Sequence, residues 1–213
     1  MSATEKLISL AHRSIGLHLM KIQSLGILSL FVPLSASLLF AAPYSMGSVP
    51  DAKTFRPLIE LTVTRLSIAK QVALAKWDSR SAIEDLPREE EVLVTARMEA
   101  RAAGLSDQEA THFFSDQIEA NKLVQYGLHA QWRRIGGAPD EPRADLASDI
   151  RPRLDELQKE FLQVLVSTRD LRTEQGCGKR LAREMQLYTA SRALEPLYGL
   201  AVERALARVC VVG

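Results

Sequence analysis

Two cations and two amides stand where a helical sequence should place apolar core side chains. Between residues 54 and 80 an apolar seam recurs at spacings of three and four: Leu58, Leu61, Ile68, Val72 and Ala75. Arg65 fills the seam position where Leu or Ile is expected. Lys76 follows eleven residues later, about three helical turns, so both cations point to nearly the same side. A later seam of Ile118, Asn121, Gln125, Leu128 and Trp132 carries two amides four residues apart, on one face. Between these seams, Asp85, Arg88 and Glu89 lie within one turn of one another. Burying a lone cation in a helical bundle costs several kcal/mol unless an anion compensates it. Inward cations and amides therefore ask for local carboxylates or for an anionic ligand. Taken singly, each residue also has a plainer reading. Arg65 can snorkel or pair locally, Lys76 beside Trp77 suits a solvated edge, Asp85 with Arg88 suits a capping pair, and Asn121 suits a register device.

The elements that must carry these residues are helical. A first long helix runs from Thr54 to about Arg80, with Pro57 in its opening turn. A connection over 81–86 leads to a second helix from Pro87 to about Ala103, stopped by Gly104. Ser106 and Glu109 have capping-box spacing for a third helix from Asp107 to about Arg134. Gly136, Gly137, Pro139 and Pro142 break the pattern. A fourth helix is expected over about Ser148 to Arg172, then a turn in which Gly176 and Gly178 flank Cys177. The last stretch, Lys179 to Val209, reads as helical with a break before Pro196. No alternating strand pattern competes, so the fold class is all-α, a single-domain helical bundle with a long first helix.

The 213 residues are 46% hydrophobic, 25% charged and only 6% aromatic, a globular and helix-favouring balance. A formal net charge of +1 gives no sign of wholesale nucleic-acid binding. The segment 1–42 reads as an export leader, with Met20-Lys21 as an alternative start. Residues 22–42 are mainly apolar and end in Ala41-Ala42 before Pro43. A retained membrane anchor is the alternative, although several serines, Gly26 and Pro33 dilute the segment. A processed chain would be the domain 43–213, with no membrane attachment. Cys177 and Cys210 both lie beyond the leader and would pair in an oxidising compartment; two free buried thiols are the alternative. The four histidines, His12, His18, His112 and His129, are scattered, and no metal site is expected.

At these residues the sequence resembles the all-helical chorismate mutases, specifically the exported gamma subclass. The resemblance rests on Arg65 in TRLSIAKQVALAKW, then Lys76, Asp85, Arg88 and Glu89 at their spacing, and the FFSDQIEANKLVQY stretch carrying Asn121 and Gln125. It covers about residues 55–134 and extends more loosely through Arg151 and the two cysteines to the closing helices, about 148–209. It implies rearrangement of chorismate to prephenate without a cofactor, in an exported protein, periplasmic or secreted, that forms a homodimer. Arg65 and Arg151 on one side and Arg88 on the other would clamp the two carboxylates, with Arg153 the alternative to Arg151. Lys76 and Gln125 would flank the ether oxygen. Glu89 and the Asp85 backbone would receive the ring hydroxyl, and Asn121 would add a carboxylate contact. Two residues depart from the pattern. Asn121 stands where the family has a small hydroxyl residue, and Gln125 where many exported relatives have Glu.

The implied reaction suits these residue types. It is unimolecular, so the protein must hold a flexible dianion in its reactive shape and stabilise charge growing on the breaking ether. Arginine forks serve the first need, and a fixed cation with a hydrogen-bond donor serves the second. Two rivals stay open from sequence: an isochorismate–pyruvate lyase of the same fold, and an exported helical protein that binds an anion without catalysis.

Overall fold

In a computed structural model of the protein, the structure describes residues 54–211; the leader and its alternative start at Met20 lie outside the described residues. The described residues form helices joined by short turns, with no strand among them. Helix α1 spans Arg56–Ser79, with Pro57 in its first turn, and ends where Arg80 adopts a left-handed φ of 55°. Helix α2 (Leu86–Ala102) is capped by Asp85, whose side chain accepts from the Arg88 backbone N–H. Helix α3 (Asp107–Ile135) opens with the capping box expected of Ser106 and Glu109 and stops at Gly136, where φ is +93°. A loop then leads to a π-helical turn, Leu146–Ile150, continuous with α4 (Arg151–Ser167). The chain closes with α5 (Arg169–Thr173), α6 (Cys177–Ser191) and α7 (Pro196–Ala205).

Helix α3 is the spine and packs on α1, α2 and α7. Its approach to α7 is close: a Cβ on Gly127 would stand 2.7 Å from Leu197 Cδ2, so a side chain there would displace Leu197. The core beside it is anchored by Phe113, Phe114 and Phe161, which meet edge to face with centroids 5.1 to 6.3 Å apart. Phe55, Leu58, Ile59, Leu66 and Val202 extend this core and are fully buried.

The seam expected on α1 is only partly the core side. Leu58, Arg65 and Val72 are buried, but Leu61, Ile68 and Ala75 are only partly so. The most buried stripe is Leu58, Ile59, Leu66, Ala69 and Ala73. The cause is position: α1 is flanked by α3, α4, α6 and α7, so burial wraps most of its circumference and a single apolar stripe does not mark the core.

The expected fourth helix, Ser148 to Arg172, is divided. It begins earlier, in the π-helical turn that Asp145 caps by accepting from Ala147 N and Ser148 N, each at 2.8 Å. It then breaks at Thr168, with no glycine or proline there. Side chains at and just after the break take the freed carbonyls: the Thr168 hydroxyl donates to the Val164 carbonyl at 2.6 Å. The buried Arg172 guanidinium donates to the Leu165 carbonyl at 3.0 and 3.2 Å and reaches Glu109 at 3.1 Å, capping an acceptor the ended helix leaves open. The turn expected around Cys177 is also revised. Gly176 supplies the left-handed residue, with φ of +89°, while Cys177 and Gly178 form the first turn of α6.

Cys177 and Cys210 are joined across 33 residues, with Cα atoms 5.9 Å apart. Next to the bridge, Val211 N–H donates to the Arg172 carbonyl at 2.8 Å, so the C-terminal strap is held to α5 and α6. Loop-closure entropy assigns such a bridge about 3–4 kcal/mol. Reduction should therefore lower the thermal midpoint by roughly 10 °C, which a melt with and without reductant measures. Unchanged midpoints would mean that the strap is held by its packing alone.

Candidate active site

Four segments enclose one cavity of about 140 Å³. Arg65, Val72 and Lys76 enter from α1, and Asp85, Arg88, Glu89 and Val92 from the start of α2. Ile118, Asn121, Lys122 and Gln125 enter from α3; Leu146, Ile150, Arg151, Leu154, Asp155 and Gln158 close it from the π-helical turn and α4. All seven residues singled out by type and spacing therefore border the same space, as does Arg151, which the resemblance added. Arg151 lies on it and Arg153 does not.

Helical phase brings them together. Arg65 and Lys76 share a side of α1 three turns apart, as expected. Asp85 caps α2, which places Arg88 and Glu89 in its first turn, Arg88 reaching Asp155 on α4 and Glu89 reaching Lys122 on α3: the Asp85 N–H donates to Glu89 Oε1 at 3.2 Å, and Arg88 N–H donates to Asp85 Oδ1 at 3.3 Å. On α3, Gln125 Nε2 donates to Asn121 Oδ1 at 2.7 Å, one turn away.

Arg65 is 7% exposed, and its Nε is buried with no partner among the described residues. Burial lowers its pKa to about 10, with the charge of Asp155 opposing the shift, so it stays a cation at neutral pH. Lys76 is half-buried and donates to the Ile83 carbonyl at 2.5 Å. Burial is the main cause holding its pKa below the usual lysine value; Asp85 and Glu89 oppose this and Arg151 and Lys122 add to it. The Arg88 guanidinium is held by Glu91 at 2.7 Å and Asp155 at 3.2 Å. Asn121 Nδ2 and Gln125 Oε1 are buried without partners among the described residues.

Two features give the cavity its chemistry. Five cations (Arg65, Lys76, Arg88, Lys122 and Arg151) and three carboxylates (Asp85, Glu89 and Asp155) line it, with Glu91 and Glu119 holding Arg88 and Lys122 from just outside. Three of the five buried side-chain atoms that lack a partner among the described residues, on Arg65, Asn121 and Gln125, belong to its wall. Each such atom costs about 1–3 kcal/mol when left unpaired, so a polar ligand gains by meeting them.

Lys122, Asp155 and Gln158 also line the cavity and are additions to the residues expected from sequence. Asp155 and Gln158 follow Arg151 by four and seven residues, so helical spacing alone could have found them. Lys122 follows Asn121 directly, but its pattern reads as a surface ion pair with Glu119.

The fold and site define a helical bundle with a small interior cavity lined by arginine, lysine and amide side chains. The chorismate mutase type II family pattern matches residues 56–126. The chain is 30% identical over 189 residues to the secreted chorismate mutase of Mycobacterium tuberculosis, covering 88% of this chain and 90% of that protein. Among solved structures, the chorismate mutase from Burkholderia phymatum is 42% identical with a TM-score of 0.72, over 74% of this chain and 96% of that one. The chorismate mutase from Burkholderia thailandensis is 36% identical with a TM-score of 0.69, over 72% and 97%. This chain belongs to the chorismate mutase type II family.

Proposed function

We propose that the protein rearranges chorismate to prephenate in the α1–α4 cavity and is an exported member of the gamma subclass. The observation that carries the reading is the buried Arg65, whose Nε lacks a partner among the described residues, beside Lys76, Arg151 and the unpaired Asn121 Nδ2 on one cavity, a donor set that suits a dicarboxylate with an ether oxygen between its halves. Arg65 and Arg151 clamp one carboxylate and Arg88 the other, as bidentate forks. Lys76 and the second N–H of the Gln125 amide, the one not given to Asn121, stabilise the breaking ether oxygen. Glu89 accepts the ring hydroxyl proton as a hydrogen bond, beside the Asp85 N–H, and Asn121 adds a carboxylate contact through its partnerless Nδ2. Fixing the dianion in its compact shape lowers the barrier by several kcal/mol without any covalent step.

Export rests on the leader at 1–42, on the disulfide, and on relatives described as secreted. Removal of the leader near Ala42 leaves a catalytic domain of residues 43–213, which forms a homodimer in the periplasm or outside the cell. Incubating the oxidised protein with chorismate tests the activity: absorbance at the chorismate band falls and the product is prephenate. A folded protein that leaves chorismate unchanged overturns the reading, and sedimentation of the same sample checks the dimer.

Asp155 now holds Arg88 as a substrate carboxylate would, and its charge faces Arg65. The Asp155–Arg88 pair is largely solvent-exposed on the aspartate side, so it is worth up to about 1 kcal/mol. Asp155→Asn should therefore lower KM about 2- to 5-fold with kcat little changed. A raised KM would mean that Asp155 orients Arg88 for the substrate.

A further inference from the structure

We propose that Lys122 is a positioning residue for the reaction, fixing the Glu89 carboxylate toward the ring hydroxyl of the substrate. The proposal deepens the functional reading above and rests on it. Lys122 is 8% exposed, and buried lysines need compensation. Its Nζ lies 2.7 Å from Glu119 Oε1 on its own helix, 3.1 Å from Glu89 Oε2 on α2 and 4.0 Å from Glu84 Oε1. Glu119, one turn back on α3, would suffice for a local ion pair. The reach across to α2 does something else: it completes a clamp on Glu89.

That clamp has two jaws. Glu89 Oε1 accepts from the Asp85 backbone N–H at 3.2 Å, and Oε2 accepts from Lys122 Nζ at 3.1 Å. Fixing both oxygens sets the plane of the carboxylate, so its remaining lone pairs face the cavity in one orientation. The two jaws come from different helices, which ties the start of α2 to the middle of α3. Asn121 and Gln125 flank Lys122 there, on the same wall. Lys122 stays charged while doing this. Burial lowers its pKa, but hydrogen bonds to Glu119 and Glu89 outweigh that and leave it raised. Without the lysine, Glu89, Glu119 and Glu84 would form an uncompensated acidic group beside a site that takes a dianion.

A double-mutant cycle tests the link. Lys122→Met should lower kcat/KM for chorismate about 10- to 100-fold, the range of one charge-assisted hydrogen bond. In a Glu89→Gln background the same change should cost less than about 2-fold, because its target is already gone. The penalty should also vanish with a chorismate analogue lacking the ring hydroxyl. Glu119→Gln should leave kinetics near wild type, which separates the α2 contact from the local α3 pair. If Lys122→Met does not fold, Lys122→Gln, which keeps a polar end without the charge, carries the same cycle. Wild-type kinetics in the lysine variants, or full additivity with Glu89→Gln, overturns the proposal while leaving the mutase reading in place. Wild-type kinetics in Glu89→Gln itself overturns the Glu89 assignment and the proposal together.

Discussion

Lys76→Ala is expected to lower kcat for chorismate by about 10³-fold while changing KM by less than about 10-fold, the upper end of what one preorganised donor at a developing oxyanion supplies. The reason is where the charge is needed. The ground-state substrate carries its two charges on carboxylates, and in the proposed site the arginines would meet those before and during reaction. Negative charge grows on the ether oxygen only as the C–O bond breaks, so a cation placed there works chiefly in the transition state. Lys76 suits that task. Its Nζ is tethered to the Ile83 carbonyl at 2.5 Å, so it needs little reorganisation as the bond breaks. Its partial burial strengthens any charge it meets. The fold should survive the change, since removing a half-buried cation relieves a desolvation cost. Steady-state kinetics with a thermal melt as control decides the matter. A fall confined to KM would move Lys76 from the ether oxygen to a carboxylate.

Lys76 also shows why the cavity could be read from sequence. Polar residues at inward helical positions violate an apolar pattern, and the violation itself is local information. Arg65, Lys76, Asn121 and Gln125 each break a seam whose phase the neighbouring residues define. Asp85, Arg88 and Glu89 are legible for another reason, because a helix start concentrates its caps and first-turn charges at a point the sequence marks with Pro87. Lys122 escapes both signals. With Glu119 three residues before it, the pair looks like a solvated i,i+3 contact, and only the approach of α2 buries it. The same holds for the break at Thr168. No glycine or proline ends that helix; the Ser167 and Thr168 hydroxyls take the Val164 carbonyl, and the Arg172 guanidinium, anchored on Glu109, takes that of Leu165. The core side of α1 is blurred for a related reason. A helix enclosed by four neighbours spreads its burial, and Leu61 and Ile68 continue the apolar rhythm while remaining partly exposed.

Gln125→Glu should convert a reaction almost indifferent to pH into one that depends on acid. In the wild type the amide donates at every pH, so kcat should be nearly flat from about pH 5 to 8. The alkaline side is set by cations that must stay protonated. Burial lowers the pKa of both Lys76 and Arg65, the latter to about 10, so their full contribution persists below those values and is lost as pH rises through them. The decline should therefore begin below the ordinary lysine value of 10.5. A glutamate at position 125 donates only when protonated. At neutral pH it would be an acceptor facing an oxygen that is gaining negative charge. Asn121 Nδ2, which has no partner among the described residues, and the nearby cations would favour that ionised form. Turnover at pH 7.5 should fall about 10²- to 10³-fold, the usual cost of one lost donor, and recover at least about tenfold toward pH 5. The check is kcat at saturating chorismate from pH 4.5 to 9 for both proteins, with melts at each end. Parallel flat profiles would remove Gln125 from the ether oxygen and leave Lys76 as the charge that stabilises it.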